Sequence, residues 1–351
     1  MKNNRWTAIL YALAAGLFYA VNVPCSKLLL GHVAPTCMAG LLYIGAGLGV
    51  GTMYLFQRPQ EPASERLRRA DWPYAVGMVA LDIVAPILLM LGVNLGTSAN
   101  ASLLGNFEIV ATTLIALLLF REPVSKRLWA AIALITVASA ILSFGGEGSL
   151  RFSTGSLLVL GATACWGLEN NCTRSISEHS THQIVTIKGL CSGAGAMLVS
   201  HVVGEPLPGA RWIVPALLLG FVAYGLSIFT YIRAQRVLGA ARTSAYYAVA
   251  PFIGALLSFL LLRERLSASY GIALAIMAAG TALIVRDTLL HRHAHPHAHV
   301  LAHTHGGVTH THTVIHTHDH AHCLSEGRHG HTHTPEELER DLPDHFAKAG
   351  T

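Results

Sequence analysis

The chain has 351 residues, 52% hydrophobic and 12% charged, with a mean hydropathy of +0.47 and a formal net charge of +5. That is far more apolar side chain than a soluble core buries, so an ordinary globular domain is excluded and a bilayer is the expected solvent. The positive charge lies between apolar runs and forms no basic face interleaved with aromatics, which sets nucleic acid aside as a partner.

Apolar stretches of about 17 to 25 residues, long enough to cross the hydrocarbon core, predict membrane helices. They fall near 7–29, 34–56, 73–95, 101–120, 128–144, 154–173, 184–203, 213–232, 243–262 and 268–286. Lys2 and Arg5 precede the first, but its apolar run outlasts the core of a signal peptide and no cleavage site follows. It is expected to stay as a helix. Cys25, Cys37, Cys165, Cys172 and Cys191 lie inside predicted spans and Cys323 in the tail, so no extracellular disulfide framework is written here.

Every second connection is basic. Arg58, Arg66, Arg68 and Arg69 follow span two, Arg121, Lys126 and Arg127 follow span four, and Arg174 follows span six. Arg233, Arg236 and Arg242 follow span eight, and Arg286 and Arg292 follow span ten. The alternate connections hold less, with Arg151, Arg211 and the pair Arg263 and Arg265 as their positives. By the positive-inside rule both termini are expected in the cytoplasm and the chain in the inner membrane.

Two halves of the chain repeat one another. LLLFREPVSKRL, residues 117–128, parallels LLRERLSASYG, and LAAGLFYAVNVPCSK, residues 13–27, parallels LGATACWGLENNCTR, residues 160–174. The second alignment places Tyr19 on Trp166, Cys25 on Cys172 and Lys27 on Arg174. An odd number of spans per half makes the second half enter from the opposite side, so the repeat is inverted and the substrate site is expected near mid-membrane at the seam. The fold expected is an all-α polytopic membrane protein: a first five-helix repeat over 1–146, a second over 147–290, and a disordered His-rich cytoplasmic tail over 291–351.

These residues resemble the EamA-type members of the drug/metabolite transporter superfamily. The resemblance covers about residues 7–286 and rests on the helix starts with Gly16, Tyr19, Asn22 and Lys27 or Trp166, Gly167, Asn170 and Arg174. It rests also on NASLLGNFEIVATTLIALLLFREPVS and its partner RTSAYYAVAPFIGALLSFLLLRERLS. Family members usually carry Glu-Pro in that span; here the first repeat has Glu108 with Ile109 and the second has Ala250 with Pro251. Members often place an Arg early in the second helix of a repeat, whereas this chain has Leu41 and Leu42 there, and Lys188 in the second repeat. The resemblance implies a two-repeat transporter of small solutes.

Polar groups inside spans are costly and mark function or glue between helices. Glu108 is seven residues into its span and reads as a proton-coupling or cation-binding carboxylate, or else as a neutral Glu bonded to a neighbouring helix. Trp166, Glu169, Asn170 and Thr173 share a helix face by i, i+3, i+4 and i+7 spacing, a substrate lining or interhelical glue. Tyr19 and Asn22 are their first-repeat counterparts. Asp82, in the middle of span three, can pair with a cation across the bundle, and Lys188 lies close enough to a span end to snorkel to the interface. Tyr246 and Tyr247 of span nine are read as lining the cavity or else as packing and anchoring the helix, with Tyr246 taken as the site residue. Glycines at spacing two and four, Gly45, Gly47, Gly49 and Gly51 in span two and Gly189, Gly193 and Gly195 in span seven, are expected to let helices approach closely.

From His291 the chain becomes polar and low in complexity, a composition expected to stay disordered until it binds something. Histidines two apart share one side of an extended strand, and neutral imidazole suits Zn, Ni, Co and Cu. The expected metal ligands are His293, His295, His297, His299, His303, His305, His310, His312, His316, His318, His320, His322, His329, His331 and His333. No spacing defines a four-ligand zinc finger. A short acidic helix is expected over 334–346.

No His-Glu-x-x-His, Gly-x-Ser-x-Gly or Walker pattern occurs, so the chain is read as a non-enzyme that requires no cofactor. The function expected is secondary active transport of a small solute, with divalent metal ions on the tail; the alternative is a Zn, Ni or Co exporter in which Glu108, Glu169 and Asp82 carry the ion. The expected partners are the lipid bilayer, the solute and the metal ions, and a homodimer is compatible with this reading.

Overall fold

A computed structural model describes residues 2–57, 66–120, 125–144, 153–176, 179–238, 243, 246–264, 267–305 and 308–323. They belong to two units, Met1–Asp287 and Thr288–Thr351. The expectations for His329, His331, His333 and the helix over 334–346 lie outside the described residues.

Among its described residues the regular elements of the first unit are helices joined by short turns. Its helices are α1 (Lys2–Ala20), α2 (Asn22–Leu29), α3 (Pro35–Gln57), α4 (Trp72–Leu95), α5 (Ser98–Leu104), α6 (Phe107–Phe120) and α7 (Lys126–Ser143). The second repeat supplies α8 (Thr154–Ile176), α9 (Thr181–Val203), α10 (Ala210–Gly220), α11 (Ser227–Leu238), α12 (Ala250–Leu262) and α13 (Ala268–Leu289). Among the described residues, seven helical segments are long and apolar enough to cross a membrane. The other three expected positions hold the pair α5 and α6, the polar-marked α8 with Glu169, Asn170 and Asn171, and the shorter α12.

Helix ends are written locally. Thr97, Ser125 and Ser180 each accept a hydrogen bond from the backbone N–H three residues on, at 3.3, 3.0 and 3.3 Å, filling donors that a helix start leaves open. Gly204 closes α9 with φ 81°, a left-handed position that glycine adopts without a Cβ penalty.

Several helices are broken at mid-span. Val21 separates α1 from α2, Gly105 and Asn106 separate α5 from α6, and Ala248 and Val249 form a turn just before α12. The fourth spans of the two repeats are therefore interrupted at matching positions, since Asn106 aligns with Ala248. Pro251 falls at the start of α12, where a missing N–H costs least. Between α10 and α11 the chain widens into a π-helical turn, Phe221–Leu226, six residues after Pro215. In α4, Pro86 leaves the carbonyl one turn back, that of Asp82, without its helical donor. Discontinuous helices of this kind are where transporters build their sites.

Small residues set the helix spacing, as expected. A Cβ on Gly47 would stand 2.6 Å from the backbone N of Leu190, and one on Gly193 2.7 Å from that of Ile44, so α3 and α9 meet backbone to backbone. On the other side of α3, a Cβ on Gly45 would collide with the carbonyl of Leu217, and one on Gly220 with that of Leu42. The interior is filled by Met38, Leu42, Met90, Leu103 and Ile135, while Leu118, Phe56 and Val202 are each more than three-quarters exposed. An apolar outer surface costs nothing against lipid.

Leu290–His305 and Val308–Cys323 form two antiparallel strands, β1 and β2, with Leu290 opposite Cys323 and His305 opposite Val308. Histidine alternates with Arg, Ala, Pro, Thr and Asp along much of both runs, a pattern that suits a pleat.

Candidate functional site

Several buried polar groups of the first unit gather around Lys188 at the seam of the two repeats. Lys188 on α9 makes ion pairs with Asp82 on α4 at 3.0 Å and with Glu169 on α8 at 2.9 Å. The Asp82 side chain is 0% exposed and that of Lys188 15%, so the ammonium is committed to the interior. This overturns the expectation that Lys188 snorkels: α9 begins at Thr181, placing Lys188 two turns into the helix, where two carboxylates outbid the interface.

The second oxygen of Asp82 accepts from the Tyr43 hydroxyl at 2.9 Å, and Tyr43 in turn accepts from Trp166 Nε1 at 3.4 Å. Thr173 donates to Glu169 one turn back. Asn170 Nδ2 donates to Glu108 Oε1 at 2.7 Å and to Thr112 at 3.3 Å, tying α8 to α6. Trp166, Glu169, Asn170 and Thr173, the face of α8 expected from spacing, all make polar contacts here.

The first-repeat counterparts close it from the other side. Asn22 Nδ2 donates to the Tyr224 hydroxyl at 2.8 Å and Asn22 Oδ1 accepts from Ser26 at 3.2 Å. Tyr224 sits in the π-helical turn, and its ring lies 5.1 Å from that of Tyr43 and 5.9 Å from that of Tyr19. Tyr19 also meets Tyr247, 5.9 Å between centroids. These rings form an aromatic wall running from Tyr43 through Tyr224 and Tyr19 to Tyr247.

Tyr246 is corrected. It packs beside Ala8, Ala12, Ala234 and Leu238, away from the network, while its neighbour Tyr247 is the ring that reaches Tyr19. Tyr43 and Tyr224 were not singled out in the sequence; their only signal there is a hydroxyl within an otherwise apolar, glycine-rich span.

Asn106, at the turn between α5 and α6 and 1% exposed, has no hydrogen-bond partner for either side-chain atom. Ser102 Oγ, one turn earlier on the same helix face, is equally unpaired. Each unsatisfied buried group costs about 1 to 3 kcal/mol, a debt that a bound solute can cancel.

Side-chain to backbone hydrogen bonds, and one His–Asp contact, tie both ends of the bundle. At one end Glu205 accepts from the N–H groups of Thr36 and Cys37 at 3.2 and 2.8 Å, and Glu264 from those of Ser98 and Ala99 at 2.7 and 2.8 Å. Both carboxylates come from the second repeat and both helix starts from the first. Lys27 caps the end of α4 through the carbonyls of Val93, Asn94 and Gly96 at 2.6, 3.1 and 2.8 Å. At the other end His179 meets Asp71 at 3.0 Å, and Gln183 accepts from the Leu67 N–H at 3.0 Å.

Among the described residues no group of three or more His, Cys, Asp or Glu is arranged to hold a metal ion. The Lys188 ammonium stands between Asp82 and Glu169, the place a cation in transit would need.

Comparison with known proteins follows the same two-part layout. The model of the EamA-like transporter family matches residues 6–144 and again 153–286. A protein of Methanothermobacter thermautotrophicus described as an uncharacterized transporter is 25% identical over 299 residues, 78% of this chain and 84% of its own. A solved crystal structure superposes with a TM-score of 0.59 at 19% identity, over 80% of this chain and 96% of its own, a likeness that concerns the fold alone.

Proposed function

Because the chain belongs to the EamA-like transporter family, we propose that it is a secondary active transporter moving a small organic solute by alternating access, through ten spans arranged as two inverted repeats. Membrane transport is the family's activity; the solute, the inverted ten-span layout and the coupling are this reading. It is no enzyme. Both termini lie in the cytoplasm by the charge of the connections, and the tail binds divalent transition metals.

The observation that carries it is the charge imbalance at the seam. Asp82 and Glu169 share one ammonium, Lys188, while Glu108 is bonded to Asn170 with no described cation beside it. Ionised carboxylates inside a membrane are expensive unless compensated, so the network takes up protons or a cationic group of the solute and gives them back as the halves rock. Lys188 and Asp82 belong to different repeats, which makes their pairing sensitive to that motion. Asn106 and Ser102, unpaired at the break in the fourth span, supply hydrogen bonds for the solute.

Metal as cargo has less support, since the carboxylates it would need are engaged by Lys188 and Asn170. Reconstituted full-length protein, given a panel of amino acids, amines and other small metabolites under a pH gradient, should move at least one of them. Zinc, nickel and cobalt should not cross. A chain ending at Leu290 should retain the solute flux. Metal flux without solute flux would replace this reading by metal export.

A further inference from the structure

Two helix breaks meet at Gly254 of α12. Pro24 has no N–H, so the carbonyl of Ala20, the last residue of α1, lacks its helical donor one turn on. At the other break Ser102 Oγ and both side-chain polar atoms of Asn106 have no hydrogen-bond partner, although Ser102 is only 6% and Asn106 only 1% exposed. A Cβ on Gly254 would stand 3.1 Å from Ser102 Oγ and 3.2 Å from the Ala20 oxygen. Both oxygens therefore border one point, which α12 approaches only because residue 254 has no side chain.

The repeat supplies a contrast. Ala20 aligns with Gly167 and Gly254 with Thr112, and those two cross as closely, since a Cβ on Gly167 would stand 2.8 Å from the Thr112 backbone N. At that crossing the polar groups are Glu108 and Thr112, both bonded by Asn170, at 2.7 and 3.3 Å. One crossing carries a carboxylate; its counterpart presents a carbonyl, a hydroxyl and a primary amide.

Resting on the transport reading above, we infer that the crossing at Gly254 receives an uncharged end of the solute, a group that both donates and accepts hydrogen bonds, as a carboxamide does. Asn106 offers N–H donors and a carbonyl acceptor, Ser102 a hydroxyl that does either, and Ala20 a carbonyl acceptor. A carboxylate placed here would set acceptor against acceptor at Ala20 and Asn106. An ammonium would leave the Asn106 N–H groups unmatched, and either ion would be buried without a counter-charge. A neutral group with both functions satisfies all three residues, and a site built to bond such a group discriminates against analogues that lack it.

The neighbouring polar groups are already engaged. One turn away on both helices Ser98 and Ser258 bond each other at 2.7 Å, and Glu264 accepts from the N–H groups of Ser98 and Ala99. The open donors and acceptors are thus confined to the breaks. Gly254 belongs to the second repeat and its three partners to the first, so rocking of the halves parts α12 from them and admits the solute.

Counterflow by reconstituted full-length protein tests this with two matched sets of probes that differ at one end. The first is glutamine, glutamate, ornithine and norvaline; the second is 4-aminobutanamide, 4-aminobutanoate, 1,4-diaminobutane and butylamine. Wild type should move the carboxamide member with a kcat/KM at least about tenfold above the charged and methyl members. Asn106→Leu exchanges the unbonded amide for an apolar group of similar size, so it should fold at least as well, by thermal unfolding, and lose that preference. Charged members moving as fast as the carboxamide, a preference that survives in Asn106→Leu, or transport only of solutes without a neutral donor–acceptor group would each overturn the inference while leaving transport standing. No flux of these probes or of any solute in the wider panel would overturn the transport reading itself.

Discussion

Lys188 of the second repeat reaches Asp82 of the first at 3.0 Å, and Glu169 holds the same ammonium at 2.9 Å. The pair is buried, so its parts do not behave as surface charges do. Removing one partner strands a charge in low dielectric, whereas removing both leaves an apolar contact.

Lys188→Met should therefore lower the stability of the detergent-solubilised protein by about 3 to 5 kcal/mol. The double variant with Asp82→Asn should recover part of it. A double-mutant cycle on thermal unfolding measures the coupling; additive effects would mean that the two groups do not interact.

Gly49 is the second position with a large expected effect. A Cβ there collides with the ring of Phe221 in the π-helical turn. Gly49→Leu should destabilise by about 1 to 3 kcal/mol through overpacking, and transport should fall with it. Phe221→Ala should relieve the clash in the same background. Undiminished flux in Gly49→Leu would show that α3 and the π-helical turn need no close contact.

Glu205→Gln and Glu264→Gln probe the links between the repeats. Each replaces two charge-assisted bonds at a helix start by bonds to a neutral acceptor, a loss of about 1 kcal/mol apiece. The double variant should favour opening at that end, read as faster labelling of a cysteine placed near Thr36. Unchanged labelling would show that the caps serve stability alone.

Much of this was legible beforehand. The expected spans at 34–56, 73–95 and 154–173 are matched by α3, α4 and α8 within a few residues, because length and hydropathy decide what crosses a bilayer. The mid-span breaks were not, since hydropathy counts side chains and a break is a matter of backbone bonds. Trp166, Glu169, Asn170 and Thr173 came from helical spacing alone. Tyr246 was chosen where Tyr247 reaches the network, an error of one residue, which on a helix is a rotation of about 100°. Lys188 was judged by distance from a span end, and no local pattern reveals that Asp82 and Glu169 await it from two other helices. In the tail, alternation of histidine was noticed, but no pairing of two strands was drawn from it.

The central claim is that the carboxylates at the seam couple transport to protons. The most direct measurement is the solute-evoked current of reconstituted protein under an imposed pH gradient, compared between wild type and Glu108→Gln, whose amide oxygen still accepts the bond from Asn170. The account predicts that the variant folds, binds solute and loses the gradient-driven current. A current of wild-type size with unchanged pH dependence in Glu108→Gln would contradict it.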